Sequence, residues 1–507
     1  MESLLKNKTI KTLFFSFIFV SVIYIIIASL FGRGIVLDGI WNFYSIITGD
    51  CISSNTMQRM RYFSCLLSQF PVYIVSAVFK FKYRALLLFL FSLPLFLFPF
   101  LVPFWHWKLA KRSQRYDIVI LSFFLFVFGV LFFEWYAIVE CLIAIPLYMV
   151  LFHYLTYDID YKKLDIFWII ILSIFCFNSH EFIGVFGFLL FLSSFLYVKR
   201  GNFSLRTKIV KYFIGLSGLL SGLLFWFFYL TPYGPDLTSD GGLGDLKHSF
   251  TIFFGDYFFF LRYRLIFTIA LVIVFLIFIV SLLLKKELNK ISIFILSSSF
   301  IIFSIVFFTI CNKDFSLYFN DFICFSIDMR FTAAILSIPV FLNTIFRDFV
   351  FKIPTGYVSV ALKNLFITTL IIGVFATLIQ LYWTFSYKNV VSNLLFNVRS
   401  STSVIFDITK YKARKYYYAI FPPEYAPLVY LFISDNMKKK HIVLPFEYIQ
   451  DTKEDKFNTT KFCYDKDFDI MYGFRYDGFY YDLDIVTQYW DLSKIKKYMI
   501  EHKIYCK

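Results

Sequence analysis

Hydrophobic residues form long, nearly unbroken runs over the first 385 residues, and short polar stretches separate these runs. A helix needs roughly 20 apolar residues to cross the hydrocarbon layer of a bilayer. The runs therefore predict an all-α polytopic membrane protein with about eleven transmembrane helices. These are Leu13–Phe31, Ala85–Trp105, Ile118–Phe133, Ala137–Leu155, Leu164–Phe177, Phe182–Val198, Ile209–Leu230, Leu265–Leu284, Ile291–Ile310, Phe331–Phe346 and Leu365–Phe385.

One apolar run, Phe63–Phe79, is ambiguous because it contains Gln69 and Pro71 and is followed by basic residues. If this run crossed the membrane, the basic loop His106–Arg115 would lie outside the cell. As an amphipathic helix lying on the membrane surface, it leaves all the basic loops on one side. We adopt the surface helix.

Lys and Arg then fall on the side that the positive-inside rule assigns to the cytoplasm. The predicted inside residues are Lys6, Lys8, Lys11, Lys108, Lys111, Arg112, Arg115, Lys162, Lys163, Lys199, Arg200, Arg206, Lys208, Lys285, Lys286, Lys290, Arg347 and Lys352. We therefore expect a multi-pass protein of the cytoplasmic (inner) membrane with a cytoplasmic N-terminus. A transmembrane domain (residues 1–385) would carry extracytoplasmic loops at 32–84, 231–264 and 311–330.

The tail, residues 386–507, differs in kind because it is rich in Lys, Asp and Tyr and has no spanning run. Alternating stretches such as HIVLPFEYI are typical of short strands. We predict a small α/β extracytoplasmic domain here.

Composition supports the membrane assignment: 59% of residues are hydrophobic, only 17% are charged, and the mean hydropathy is +0.70. A soluble protein needs more polar residues to cover its surface. The net charge is +16, and the Lys-rich clusters lie between the apolar runs. This distribution indicates membrane topology and not a nucleic-acid partner. The eight cysteines form no CxxC pair, which argues against a zinc or iron–sulfur site.

Three acids on the predicted outer side are candidates for chemistry. Asp38 follows the first span and is either a general base or a solvated loop acid or helix cap. Glu134 lies in a very tight turn and either takes part in the site or marks the water interface. Glu140 lies within the next span and must face protein or a cavity.

Three further residues complete the candidate set. His180 and Glu181 share the next outside turn, where they could position a proton or a cation, although a cap by a neighbouring residue explains the turn equally well. Arg330 opens the tenth predicted span and either snorkels to the interface or binds a phosphate. The predicted topology brings these residues to one face, and acids with an Arg suit a lipid phosphate.

Short motifs, taken in order along the chain, resemble a known family. Asp38 with Tyr44 and Gly49 is similar to the acid–aromatic–Gly run of its first outside loop, and QFPVYIVSAVFKF looks like its Pro-containing surface helix. FFEW occupies the place of its acid-bearing turn, and MRFTAAILSIP looks like its Arg-led late span. The layout resembles the GT-C superfamily of membrane glycosyltransferases, which use polyprenyl-linked sugars. RYFSCLLSQFPVYI is also similar to uncharacterised polytopic bacterial proteins.

The resemblance implies transfer of a sugar from a polyprenyl phosphate to a glycan, lipid or protein acceptor at the outer face. Asp38 would be the base, Glu134 and Glu181 would position the acceptor or a divalent cation, and Arg330 would hold the departing phosphate. The requirement for a metal stays open.

Two other classes remain. A transporter or flippase for a lipid-linked or anionic substrate predicts broken helices and polar residues in mid-membrane, for which Glu140 is the candidate. A glycan polymerase or ligase would have a large central outside loop and a short C-terminal tail. This chain has a shorter central loop and a long tail, which is the reverse.

Reporter fusions test the predicted topology. Fusions after Arg115, Lys208 and Lys290 should report cytoplasm, and fusions after Asp245 and Asp435 should report the outside, because Lys and Arg are retained inside. A cytoplasmic signal from the Asp435 fusion would contradict the functional hypothesis.

Overall fold

A computed structural model describes the helical part of the chain and pieces of the tail. The described residues are 8–35, 39, 43, 46, 69–81, 83–131, 140–177, 183–230, 340–350, 352–354, 357–400, 405–407, 442–444, 463–465, 470–476, 479–482 and 493–501. Three predicted spans lie wholly or mostly outside them: Leu265–Leu284, Ile291–Ile310 and Phe331–Phe346.

Helices occupy the positions of the first seven predicted spans and of the last. They are α1 (Lys8–Leu30), α2 (Arg84–Ser113), α3 (Tyr116–Gly129), α4 (Glu140–Leu155), α5 (Lys163–Phe177), α6 (Ile183–Arg200), α7 (Leu205–Leu230) and α8 (Val360–Ser400), with α9 (Ser493–Glu501) in the tail. Shorter turns are the 3-10 turn Arg33–Ile35 and the π-helical turns Ile74–Val78 and Phe346–Val350.

Four of the described helices are long and apolar enough to cross a membrane: Ile10–Leu30, Arg84–Ser113, Leu205–Leu224 and Val360–Val398. The prediction of a helical protein with several membrane-length apolar helices is therefore confirmed, while the count of eleven spans stays a prediction.

Aromatic contacts fix the directions of α1, α2 and α8. Ring pairs join α1 to α2 in opposite order along the two helices, with centroids 5.8, 6.1 and 5.7 Å apart: Phe14–Trp107, Phe17–Phe100 and Tyr24–Phe96. By contrast, Phe17 lies beside Gly373 and Phe31 beside Phe385, so α8 runs parallel to α1. Because α1 and α2 are antiparallel, the end of α1 and the start of α2 lie at the same end of the bundle.

The remaining helices alternate in direction, so their connections form two faces. The basic face comprises the start of α1, the connections α2–α3, α4–α5 and α6–α7, and the described residues of 346–350, 352–354 and 357–360. The opposite face, which we call the Arg33 face, comprises the ends of α1, α3 and α5, the starts of α2, α4 and α6, and α8 around Gln380. Contacts that set this alternation are Phe123–Phe366, His106–His153, Trp105–Trp168 and Phe152–Tyr197.

Two helices extend beyond their predicted spans. Helix α2 continues to Ser113, which puts Lys108 and Arg112, expected in a loop, on its last turns. It ends at Gln114, which adopts a left-handed conformation (φ 58°) and donates its N–H to Ala110 O at 2.9 Å. Helix α8 has 41 residues, about 60 Å at the helical rise. The predicted start of the tail at residue 386 therefore lies inside α8.

Small residues bring α6 and α7 into close contact. A Cβ atom added to Gly187 would lie 2.0 Å from the carbonyl oxygen of Gly218, and one added to Gly215 would lie 2.2 Å from Ser194 Oγ. Helices in membranes associate through such small-residue interfaces because lipid supplies no hydrophobic drive between them.

Short strands occur in the tail. β1 (Ile405–Asp407) pairs in parallel with β2 (Ile442–Leu444), and β4 (Ile470–Tyr476) pairs antiparallel with β3 (Cys463–Asp465) and β5 (Phe479–Asp482). Most of residues 401–507 lie outside the description, so the α/β domain stays a prediction.

The α6–α7 contact predicts a steric sensitivity. Gly218→Val should lower the free energy of unfolding by about 2 kcal/mol, because the added carbon atoms meet the backbone of Gly187, which cannot rotate away. Leu216→Ala changes an exposed position on the same helix and should cost less than about 1 kcal/mol. Reversible unfolding in mixed micelles, followed by circular dichroism, measures both. Equal losses would contradict the close packing.

Candidate functional site

The residues proposed for chemistry lie largely beyond the described part of the chain. Asp38, Glu134, His180, Glu181 and Arg330 lie outside the described residues. For Glu140 the backbone alone is described, as the first residue of α4. The site is therefore built from the described segments that adjoin these residues.

The described segments that adjoin Asp38, Glu134, Glu140 and the His180–Glu181 pair lie at one end of the bundle, and none adjoins Arg330. The chain leaves α1 before Asp38, leaves α3 before Glu134 and enters α4 at Glu140, and each of these helix ends belongs to the Arg33 face. His180 and Glu181 fall between the end of α5 and the start of α6, which also belong to this face. The described helix ends are thus compatible with the hypothesis that these residues share one face.

A buried arginine, Arg33, lies on this face just after α1, with only 2% of its surface exposed. Its Nη1 donates to Thr384 Oγ1 at 2.7 Å and to Gln380 O at 3.1 Å, and its Nη2 donates to Gln380 Oε1 at 2.9 Å. Its guanidinium carbon also lies 5.7 Å from the ring centre of Phe96. Within the described part of the chain, Arg33 makes no ion pair with a carboxylate, so its charge is held by neutral groups.

The carboxamide of Gln380 links two of the segments that precede proposed acids. Its Oε1 accepts from Arg33, which is five residues before Asp38, and its Nε2 donates to Leu131 O at 2.9 Å, three residues before Glu134. A single side chain of α8 therefore fixes the end of α1 relative to the end of α3.

Further contacts attach the chain to α2 on both sides of Asp38. Before it, Gly34 N donates to Ser92 Oγ at 2.9 Å, and any Cβ at Gly34 would lie 2.8 Å from Ser92 Cα, so glycine is required. After it, the ring of Phe43 lies 5.3 Å from that of Phe91, edge to face. Both attachments fall on one turn of α2.

An ion network lies at the opposite end, on the basic face. Arg115 binds Asp117 through two hydrogen bonds of 3.1 and 2.9 Å and reaches Asp348 at 2.7 Å. The exposure of all three side chains is 1%. Arg347 pairs with Asp117 at 2.5 Å, and Arg200 pairs with Asp348 at 2.9 Å. Removing one partner of a buried ion pair is costly, because the other charge stays buried. Here the pairs join the α2–α3 connection, α3, α6 and residues 346–350.

Electrostatic effects follow from these contacts. Burial alone would lower the pKa of the Arg115 guanidinium, but the carboxylates of Asp117 and Asp348 outweigh it and raise the pKa well above its usual value. In the exposed α4–α5 connection, hydrogen bonds from Thr207 and Ser204 lower the pKa of the Asp160 carboxyl. Both groups are therefore charged at neutral pH and serve structural roles.

A buried histidine pair joins α2 to α4. His106 Nδ1 lies 3.0 Å from His153 Nδ1, and Ser113 Oγ lies 3.0 Å from His153 Nε2. One ring nitrogen of the close pair must donate and the other accept. Two nitrogens do not make a metal site, and the described residues contain no group of three or more potential ligands.

Sequence reasoning missed Arg33, Gln380 and Asp348 as organising residues. Arg33 counted only as a loop residue after the first span. Gln380 and Thr384 are four residues apart within a predicted span, and this helical spacing of polar residues in an apolar run was the signal that could have found them.

Comparison with known proteins adds no family: no family model, no curated protein and no solved structure matches the chain.

The basic-face network predicts unequal effects of two neighbouring arginines. Arg115→Met should lower the free energy of unfolding by about 3 kcal/mol, because it leaves two buried carboxylates short of a cation. Arg112→Met is the matched control. Its side chain is 25% exposed and pairs with Asp165, so the cost should stay below about 1 kcal/mol. Unfolding in mixed micelles measures both, and a loss for Arg112→Met as large as for Arg115→Met would contradict the account.

Proposed function

We propose that the protein is a membrane glycosyltransferase that acts at the Arg33 face on a sugar carried by a polyprenyl phosphate. This face would be the extracytoplasmic one. The observation that carries the proposal is the Gln380 junction, because it fixes together the two helix ends that lead to Asp38 and Glu134. A general base and a partner acid on separate loops need such a common support to keep a productive geometry.

In the proposed reaction, the Asp38 carboxylate takes the proton of an acceptor hydroxyl while the hydroxyl oxygen attacks the anomeric carbon. The bond between that carbon and the phosphate oxygen breaks, and polyprenyl phosphate leaves with the bonding electrons. The configuration at carbon is inverted. Arg330 would hold the departing phosphate, whose negative charge grows as the bond breaks. Glu134, Glu140, His180 and Glu181 would orient the acceptor or a divalent cation.

The distribution of charge supports surface chemistry over transport. The described ion pairs of the helical part lie at the basic face, and Arg33 lies at the end of α1. A transporter needs ionisable groups near the middle of the membrane, beside broken helices.

Replacing the proposed base tests the function. Asp38→Asn keeps the size of the side chain but removes the proton acceptor, so transfer should slow by about 10²–10⁴-fold. Asp50→Asn, in the same loop, is the matched control and should keep the parental rate. Transfer from a polyprenyl-phosphate-linked sugar, measured with the full chain in vesicles, gives the rates.

Measuring donor binding together with the transfer rate distinguishes the proposed role of Asp38 from that of Arg330. Asp38→Asn should still bind the lipid donor, whereas Arg330→Ala should weaken binding and Arg330→Lys should restore it only in part, because Lys lacks the planar fork. If the Asp38→Asn protein folds and transfers sugar at the parental rate, Asp38 is not the general base. That result would favour the transporter hypothesis.

A further inference from the structure

A cavity of about 610 Å³ opens on the basic face, away from the proposed transfer site. Its charged lining consists of Lys199, Arg200, Lys352, Asp158 and Asp348. The volume falls within the range of small-molecule sites, roughly 300–1,000 Å³. Three cations against two carboxylates leave the lining with a positive charge.

Both carboxylates of this lining already have partners. Asp348 accepts hydrogen bonds from Arg115 and from Tyr197, each at 2.7 Å, and Asp158 pairs with Arg200 at 3.4 Å. Lys199 and Lys352, in contrast, make no ion pair with any described residue. Arg200 faces Asp348 through Nη1 and Asp158 through Nη2, and a guanidinium carries five N–H donors in all, so it keeps further donors. The unused donors of the cavity are therefore all cationic.

Contacts of the backbone fix the turn that carries Lys352. Lys352 adopts a left-handed conformation (φ 48°), which is strained for a residue with a side chain. The turn around it is closed by Ile353 N donating to Arg347 O at 3.1 Å, and by Arg347 Nη2 donating to Tyr357 O at 2.6 Å. The backbone of Lys352 is thus held beside the cavity before any ligand arrives, so only its side chain has to be ordered on binding.

An exposed apolar strip leads along α6 into the cavity. Phe188, Leu192, Phe195 and Leu196 share one side of the helix and are 41–51% exposed, and Leu196 also lines the cavity. Phe349 forms part of the wall beside it. A ligand that filled both features would have an anionic head and a long apolar tail.

We propose that this cavity binds the phosphate group of an anionic phospholipid from the leaflet at the basic face, with its acyl chains along the α6 strip. Lys199 and Lys352 supply charge, and Arg200 supplies N–H donors to the phosphate oxygens. Free phosphate would satisfy the same cations but would leave the apolar strip unused.

Native mass spectrometry of the full chain in detergent, titrated with phosphatidylglycerol or phosphatidylcholine, tests the site. The parental protein should bind phosphatidylglycerol more tightly. The Lys199→Ala/Lys352→Ala double variant should lose roughly 30-fold of this affinity, since it removes two lysines next to the phosphate, and should keep its affinity for phosphatidylcholine. Lys108→Ala/Lys163→Ala removes two exposed lysines of the same face outside the cavity and should change the affinity less than about threefold.

Further arms distinguish the source of the phosphate. Glycerol phosphate, which has the headgroup without acyl chains, and inorganic phosphate should not displace phosphatidylglycerol at equal concentration. Displacement by either, equal binding of phosphatidylcholine, or equal losses in the two double variants would overturn the proposal. If the double variant fails to fold, Lys199→Gln and Lys352→Gln are measured singly, and binding unchanged in both would overturn it as well.

Discussion

A buried guanidinium at the end of the first helix, held by neutral groups of the last described membrane-length helix, organises the Arg33 face. Arginine remains protonated in proteins, so burial of Arg33 demands that its N–H groups be satisfied. Gln380 and Thr384 supply the acceptors from one side of α8, and the contact sets the register of the parallel α1–α8 pair. Because Gln380 also binds Leu131 O, the end of α3 is set by the same contact.

Buried charges have different partners on the two faces. On the basic face, Arg115, Arg200 and Arg347 meet Asp117 and Asp348, so buried charge is matched by opposite charge. On the Arg33 face, the described partners of the Arg33 guanidinium are neutral groups. In the proposed transfer, a positive charge on this face would favour the leaving phosphate.

The helices were predictable from sequence because each one is an apolar run, whereas the contacts between them were not. Asp117 and Asp348 are separated by more than 200 residues in the chain and share Arg115, and no local pattern indicates such a partner. Arg115 and Arg347 were predicted only as topology signals, although both are buried in the network. Two helices extend beyond the predicted spans where polar residues continue the helix, in the last turns of α2 and in α8 beyond residue 385. The residues proposed for catalysis stay predictions, because they lie outside the described residues.

The most direct test is an experimental structure of the full chain in a lipid bilayer with a bound polyprenyl-phosphate sugar. The account predicts that the sugar lies at the Arg33 face. The Asp38 carboxylate would be beside the acceptor side of the anomeric carbon, and the Arg330 guanidinium within hydrogen-bond distance of the phosphate. A sugar bound at the basic face, or one at the Arg33 face with neither Asp38 nor Glu134 near the anomeric carbon, would contradict it.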